Sequence, residues 1–144
     1  MVFEVLHPLP GADAPQLRAN RPPREPRPNT LSCVLRIAAQ GGAGATALLV
    51  GDIETPQEQA LLARSAPVKA NLLLVPHHGS KTSSSRAFLE AVQPDTALVQ
   101  AGYRNRFGHP APDVLQRYRA LGINVVESAH CGAANWSSKL PAAV

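Results

Sequence analysis

"ANLLLVPHHGSKTSSSRAFLEAVQPDTALVQAG", residues 70–102, decides the fold class. Its opening "ANLLLVP" (70–76) is a buried apolar strand that Pro76 stops, because proline brings no N–H to a sheet ladder. "SSSRAFLEAVQ" (83–93) is a helix capped by a serine, and "TALVQAG" (96–102) is the next strand. Short strands alternating with helices predict an α/β layer arrangement.

The same alternation extends in both directions. "LSCVLRIA" (31–38) alternates as a strand, "GGAG" (41–44) turns, and "ATALLVGD" (45–52) is a second, buried strand, so the two predict a hairpin. "TPQEQALLARS" (55–65) carries helix-start chemistry, with Thr55 as N-cap, Pro56 at the first helical position and Glu58 three residues after the cap. "APDVLQRYRALG" (111–122) predicts a helix ending at Gly122, "INVVES" (123–128) a strand, and "AANWSS" (133–138) a last edge strand.

Bulk properties narrow the class. The 144 residues suit one domain able to bury a core. With 44% hydrophobic and only 4% aromatic residues, that core rests on Leu, Val, Ile and Ala. A net charge of +4 has a plain reading, solubility, which charge alone favours, and a sharper one, attraction to a polyanion. Cys33 and Cys131 form neither a CxxC pattern nor a dense disulfide framework; one bridge between them stays open. No apolar run reaches the roughly 20 residues that span a bilayer, and "MVFEVLHPLP" lacks the features of a signal peptide, so the segment reads as soluble. Residues 8–29 hold seven of the 14 prolines together with Arg18, Arg21, Arg24 and Arg27, which excludes helix or central strand and predicts a long, basic surface loop.

Polar residues collect where apolar strands end. Asp52 follows "TALLVG", His77 and His78 follow "LLLVP", and His109 closes the loop after "TALVQ". Ligands of α/β sheets gather at the carboxyl ends of strands, so these side chains are expected in one cleft. A carboxylate can bridge two cations, neutral imidazole is the commonest nitrogen ligand of zinc-like metals, and two metals about 3.5–4 Å apart activate a water and clamp a phosphate. Gly79 would let backbone approach a ligand, and Ser80, Lys81 and Thr82 offer donors to phosphoryl oxygens. Each residue also has a plain structural role open to it: Asp52 as a turn cap, His109 as a loop residue, and His7 and His130 as packing or surface histidines. A two-metal site needs about five or six protein ligands. One Asp and two or three His amount to half of one.

Three blocks, "LLVGDIETPQEQALL" (48–62), "NLLLVPHHGSKTSSSRAFLEAVQP" (71–94) and "AGYRNRFGHPAPDVLQRYRALGI" (101–123), resemble the metallo-β-lactamase-like domain at the C-terminus of the ComEC family of DNA-uptake competence proteins. "FEVLHPLP" (3–10), "PNTLSCVLRI" (28–37) and "HCGAANWSS" (130–138) extend the resemblance over nearly the whole chain. It implies an αββα sandwich of which residues 1–144 are the C-terminal half, the first-half His/Asp metal motif falling upstream of Met1. By the same resemblance Asp52 and His77 are ligands of a two-metal Zn or Mn site, and His78 and His109 are catalytic. Ser80, Lys81, Arg104 and Arg106 then bind substrate. The implied activity is a metal-dependent nuclease or phosphodiesterase acting in DNA uptake for transformation, weak or absent in this chain alone. Implied partners are single-stranded DNA, the absent N-terminal half-domain and the membrane channel of a parent protein in the bacterial inner membrane. The alternative is a non-catalytic DNA-binding or structural remnant of the same fold.

Overall fold

The computed structural model describes residues 1–9, 27–40 and 44–137. Most of the proline- and arginine-rich loop, including Arg18, Arg21 and Arg24, therefore lies outside the described residues.

Six strands form one sheet: β1 (Val2–His7), β2 (Val34–Ala38), β3 (Thr46–Leu49), β4 (Leu72–Leu74), β5 (Thr96–Val99) and β6 (Asn124–Glu127). They lie side by side in chain order. β1, β2 and β3 pair antiparallel, so the expected hairpin is present, while β3 to β6 run parallel. Helices α1 (Thr55–Ala63), α2 (Arg86–Val92) and α3 (Pro112–Ala120) make the three parallel crossovers, and α4 (Ser128–Cys131) follows β6.

Three expectations shift. β2 starts at Val34 because Pro28–Leu31 closes a 3-10 turn ahead of it. α1 is capped by Glu54, one residue earlier than expected, with Gln57 Oε1 accepting from the Glu54 N–H at 3.2 Å. Glu58 is thereby freed for another task. No strand occupies 133–137; the chain leaving β6 turns into α4 instead, and Ser138 lies outside the described residues. β1 is a strand that the sequence reading did not assign.

One core cluster joins Leu61 of α1, Phe88, Leu89 and Val92 of α2, and Val114 and Tyr118 of α3 to Val34, Leu48, Leu73, Ala97 and Val99 of the strands. All three crossover helices thus cover the same sheet face. Right-handed crossovers that always step the same way along a sheet produce this one-sided layer. The opposite face is also apolar. Its rows follow from the strand register: Phe3, Ile37, Ala47 and Leu72 in one, Val5, Leu35 and Leu49 in the next. None of these seven belongs to the core cluster. Phe3 and Val5 are 63% and 58% exposed. Parallel strands with apolar runs such as "ALLV" and "LLLV" suit burial on both faces. The described residues build one α/β sheet with its helices on one side; on the other, Ala47 and Leu72 are buried and the exposure lies at the β1 edge.

A candidate histidine–carboxylate cleft at the strand ends

Because β3, β4 and β5 are parallel, their carboxyl ends share one edge of the sheet, and this edge carries the polar residues. Asp52 and Glu54 follow β3 and flank Ile53, which is fully buried. His77 and His78 sit in the 3-10 turn Pro76–Gly79 after β4. His109 closes the loop after β5. The His77 N–H donates to the Gly51 carbonyl at 3.0 Å and fastens the β4 turn to the end of β3.

The His–His turn is strained. His77 and His78 both adopt left-handed backbone, at φ 48° and 55°. Two successive non-glycine residues in this region are held there by their surroundings, at about 1–2 kcal/mol each. Gly79 follows at φ 82°, and a Cβ there would meet Pro110 Cβ at 2.6 Å. The turn and the His109–Pro110 loop therefore meet with no room for a side chain. Behind the turn, the fully buried Glu58 carboxylate accepts from Ser84 N at 2.5 Å and Ser85 N at 2.8 Å. Ser84 Oγ lies 3.0 Å from the Tyr118 hydroxyl, and Arg117 donates to the Ser83 and Ser84 carbonyls at 3.0 and 2.5 Å. Side chains of α1 and α3 thus hold the segment that follows the histidines. Burial pushes the Glu58 carboxyl up, against the lowering effect of the Ser85 and Ser84 hydrogen bonds and of Arg117. Burial also pushes the Tyr118 hydroxyl up.

Two histidine–carboxylate pairs result. His78 Nε2 lies 3.4 Å from Asp52 Oδ1, and its Nδ1 lies 2.6 Å from the Gln100 carbonyl. A carbonyl can only accept, so Nδ1 carries the hydrogen and Nε2 turns towards the carboxylate. His77 Nδ1 lies 3.4 Å from Glu54 Oε1, which also accepts from the Thr82 hydroxyl at 2.9 Å. The His77 ring is 6.4 Å from that of His78 and 6.0 Å from that of His109. Burial, together with the neighbouring His77 and His78, holds the His109 imidazole below the usual histidine range. Its buried Nδ1 has no hydrogen-bond partner among the described residues.

The structure brings Asp52, His77, His78 and His109 to one edge, as expected from the strand ends. Of these four only His109 shares with Lys81 a cavity of about 440 Å³, lined also by Ser80 and Phe107. Ser80 is buried, and its hydroxyl faces Thr82 Oγ1 at 3.1 Å within its own turn. Arg104 and Arg106 are exposed on the β5–α3 loop beside the cleft. Glu54 and Thr82 complete the His77 pair, although the sequence reading assigned no site role to Glu54. The signal was the "DIE" spacing, which sends alternate side chains the same way around a buried Ile53. His7 is structural, its Nε2 lying 2.8 Å from the Thr30 carbonyl, and Cys33 and Cys131 are free thiols rather than a bridge.

These donors do not close a cation cage on their own. Among the described residues no three His, Cys, Asp or Glu side chains assemble into a metal-holding group. The carboxylates are taken up pairwise by His77 and His78. No helix among the described residues is long and apolar enough to cross a membrane.

An α/β sheet with a histidine–carboxylate cleft at its parallel strand ends is the class that fold and site define. No family profile matches the chain. It is 41% identical over 106 residues to "Competence protein ComA" of Neisseria gonorrhoeae, covering 73% of this chain and 15% of that protein. "ComE operon protein 3" of Bacillus subtilis is 36% identical over 96 residues, covering 67% and 12%. "Recombination protein 2" of Haemophilus influenzae is 38% identical over 104 residues, covering 72% and 13%. The similarity thus runs over two thirds or more of this chain in each case, and one of these relatives is named a competence protein. The matched segment spans only 12–15% of their length.

Proposed function

We propose that the chain is one wall of a DNA-processing cleft in a DNA-uptake protein acting in transformation, and that the completed cleft hydrolyses phosphodiesters. The observation that carries this reading is the convergence of His77, His78 and His109 with Asp52 and Glu54 at one sheet edge, on a turn held in left-handed backbone. The similarity to a competence protein supports DNA as the partner, and exposed Lys81, Arg104 and Arg106 offer cations for its phosphates.

In this reading the fold is the C-terminal half of a metallo-β-lactamase-like sandwich. Upstream polypeptide of a parent in the bacterial inner membrane brings the second sheet against the apolar face opposite the helices. Asp52 and His77 are this chain's share of a Zn or Mn site that the upstream part completes. His109, whose imidazole burial and the neighbouring His77 and His78 hold below the usual histidine range, is the proton acceptor in this reading. His78, with Nδ1–H anchored on Gln100 and Nε2 beside Asp52, is oriented to hold or release one. Proton transfer by positioned groups of this kind contributes about 10²–10⁴-fold. The test is cleavage of an end-labelled single-stranded oligonucleotide by the chain joined to the segment that precedes the match in a competence relative, with Mn²⁺ or Zn²⁺ added. Cleavage that disappears in Asp52→Ala and His77→Ala supports the reading. No cleavage, or cleavage unaffected by both substitutions, overturns it.

The pairwise use of the carboxylates favours a second reading, a DNA-binding module without chemistry. It predicts DNA binding that falls steeply with salt, ignores chelator and never leads to cleavage.

A further inference from the structure

The loop between β5 and α3 holds two exposed aromatic rings in a chain that has few. Tyr103 and Phe107 are 67% and 66% exposed, and the whole sequence contains only three Phe, two Tyr and one Trp. Each ring has an arginine against it: the Arg104 guanidinium lies 5.3 Å from the Tyr103 ring centre, and Arg106 lies 4.8 Å from that of Phe107. No acidic residue occurs between positions 96 and 112.

The loop is fixed in shape despite its exposure. Asn105 Nδ2 donates to the Gly102 and His109 carbonyls at 3.0 and 2.6 Å. Its Oδ1 accepts from the Phe107 and His109 N–H groups at 3.2 and 3.0 Å. Phe107 stacks on His109, with ring centres 5.9 Å apart and planes 19° apart. Its ring stands between the 440 Å³ cavity on the Lys81 side and a second of about 250 Å³ lined by His78, Gln100 and Ala101.

We infer that Tyr103 and Phe107 form a base-stacking platform that holds single-stranded nucleic acid with its backbone along Arg104, Arg106 and Lys81. The part of each ring still open to water, with a guanidinium over the ring, offers stacking surface to a base and a charge to the adjoining phosphate. The interior bases of a duplex are stacked on both faces, so the platform favours single strands over duplex. The Asn105 clasp holds the rings in place before ligand arrives, which lowers the entropy lost on binding. This inference rests on the nucleic-acid reading above and adds to it the groups that would hold the unpaired bases.

The test is fluorescence anisotropy of the full chain with a labelled single-stranded oligonucleotide, its duplex, and an abasic strand of equal length. Wild type is expected to bind the single strand most tightly, and Phe107→Ala or Tyr103→Ala to weaken it by about 5- to 100-fold. Phe107→Trp and Tyr103→Phe should restore binding, and the abasic strand should be insensitive to all four changes. Arg104→Gln with Arg106→Gln should weaken every probe and flatten the salt dependence. If wild type binds none of the probes, the nucleic-acid reading falls and the platform with it. If it binds DNA but the alanine variants are unchanged, or duplex binds as tightly as single strand, the platform alone is overturned.

Discussion

His78 Nε2 and Asp52 Oδ1 face each other at 3.4 Å across the ends of two neighbouring parallel strands. The contact exists because the His77–His78 turn is left-handed at both residues, which swings the two imidazoles over the sheet edge. His78→Gly and His78→Ala remove the same side-chain contacts, but only alanine keeps a Cβ at φ 55°. The glycine variant should therefore be more stable than the alanine variant by about 1 kcal/mol. Urea unfolding of the two variants side by side checks this.

Gly79→Ala should destabilise the chain by more than about 2 kcal/mol, because strain at positive φ adds to overpacking against Pro110. The displaced Pro110 would carry His109 away from His77. A lower denaturation midpoint, together with shifted His109 ring resonances, is the expected NMR and urea outcome.

Glu58 makes stability depend on pH in a direction opposite to most carboxylates. Burial raises its folded value above the ordinary 4.5, so folding favours the protonated group. Its contribution is complete below 4.5 and is lost as pH rises through the raised value. Glu58→Gln should lower the melting temperature, since one of the two N–H donors from Ser84 and Ser85 then faces an amide nitrogen. The downward slope of stability with pH expected of wild type should be absent in that variant. Thermal melts from about pH 4 to about pH 8 give both readouts.

Asn105→Ala should loosen the β5–α3 loop without unfolding the sheet, because all four of its side-chain hydrogen bonds stay between residues 102 and 109. Amide hydrogen exchange should quicken over that loop while β4 and β5 remain protected.

The exposed apolar residues at the β1 edge should report themselves to an apolar dye. Wild type is expected to bind anilinonaphthalene sulfonate, and Phe3→Lys with Val5→Lys should lower the signal while changing stability by only about 0.5 kcal/mol per site. An unchanged signal would mean that the dye binds elsewhere.

The α/β alternation and the strand-end cleft were legible because apolar runs stop abruptly at Gly51 and Pro76, and polar residues follow at once. The serine cap of α2 was legible for a similar local reason, and Ser85 Oγ does accept from the Phe88 N–H. Glu58 was not. A local pattern of Thr, Pro and Glu suggested a capping box, whereas its partners Ser84 and Ser85 lie in another loop, beyond any local signal. β1 escaped for a related reason, because its neighbour β2 is separated from it by the long proline-rich stretch. Likewise the pairing of Glu54 with His77 depends on the register between β3 and β4, which no single segment encodes.

Strand order that repeats chain order has a consequence for synthesis on the ribosome. From β2 onward, each strand as it emerges finds its partner already made and lying at the open border of the growing sheet. Among the described residues that border is passed along from strand to strand as far as β6, a strand of four residues. The nascent chain therefore shields its own unpaired backbone by continuing to grow.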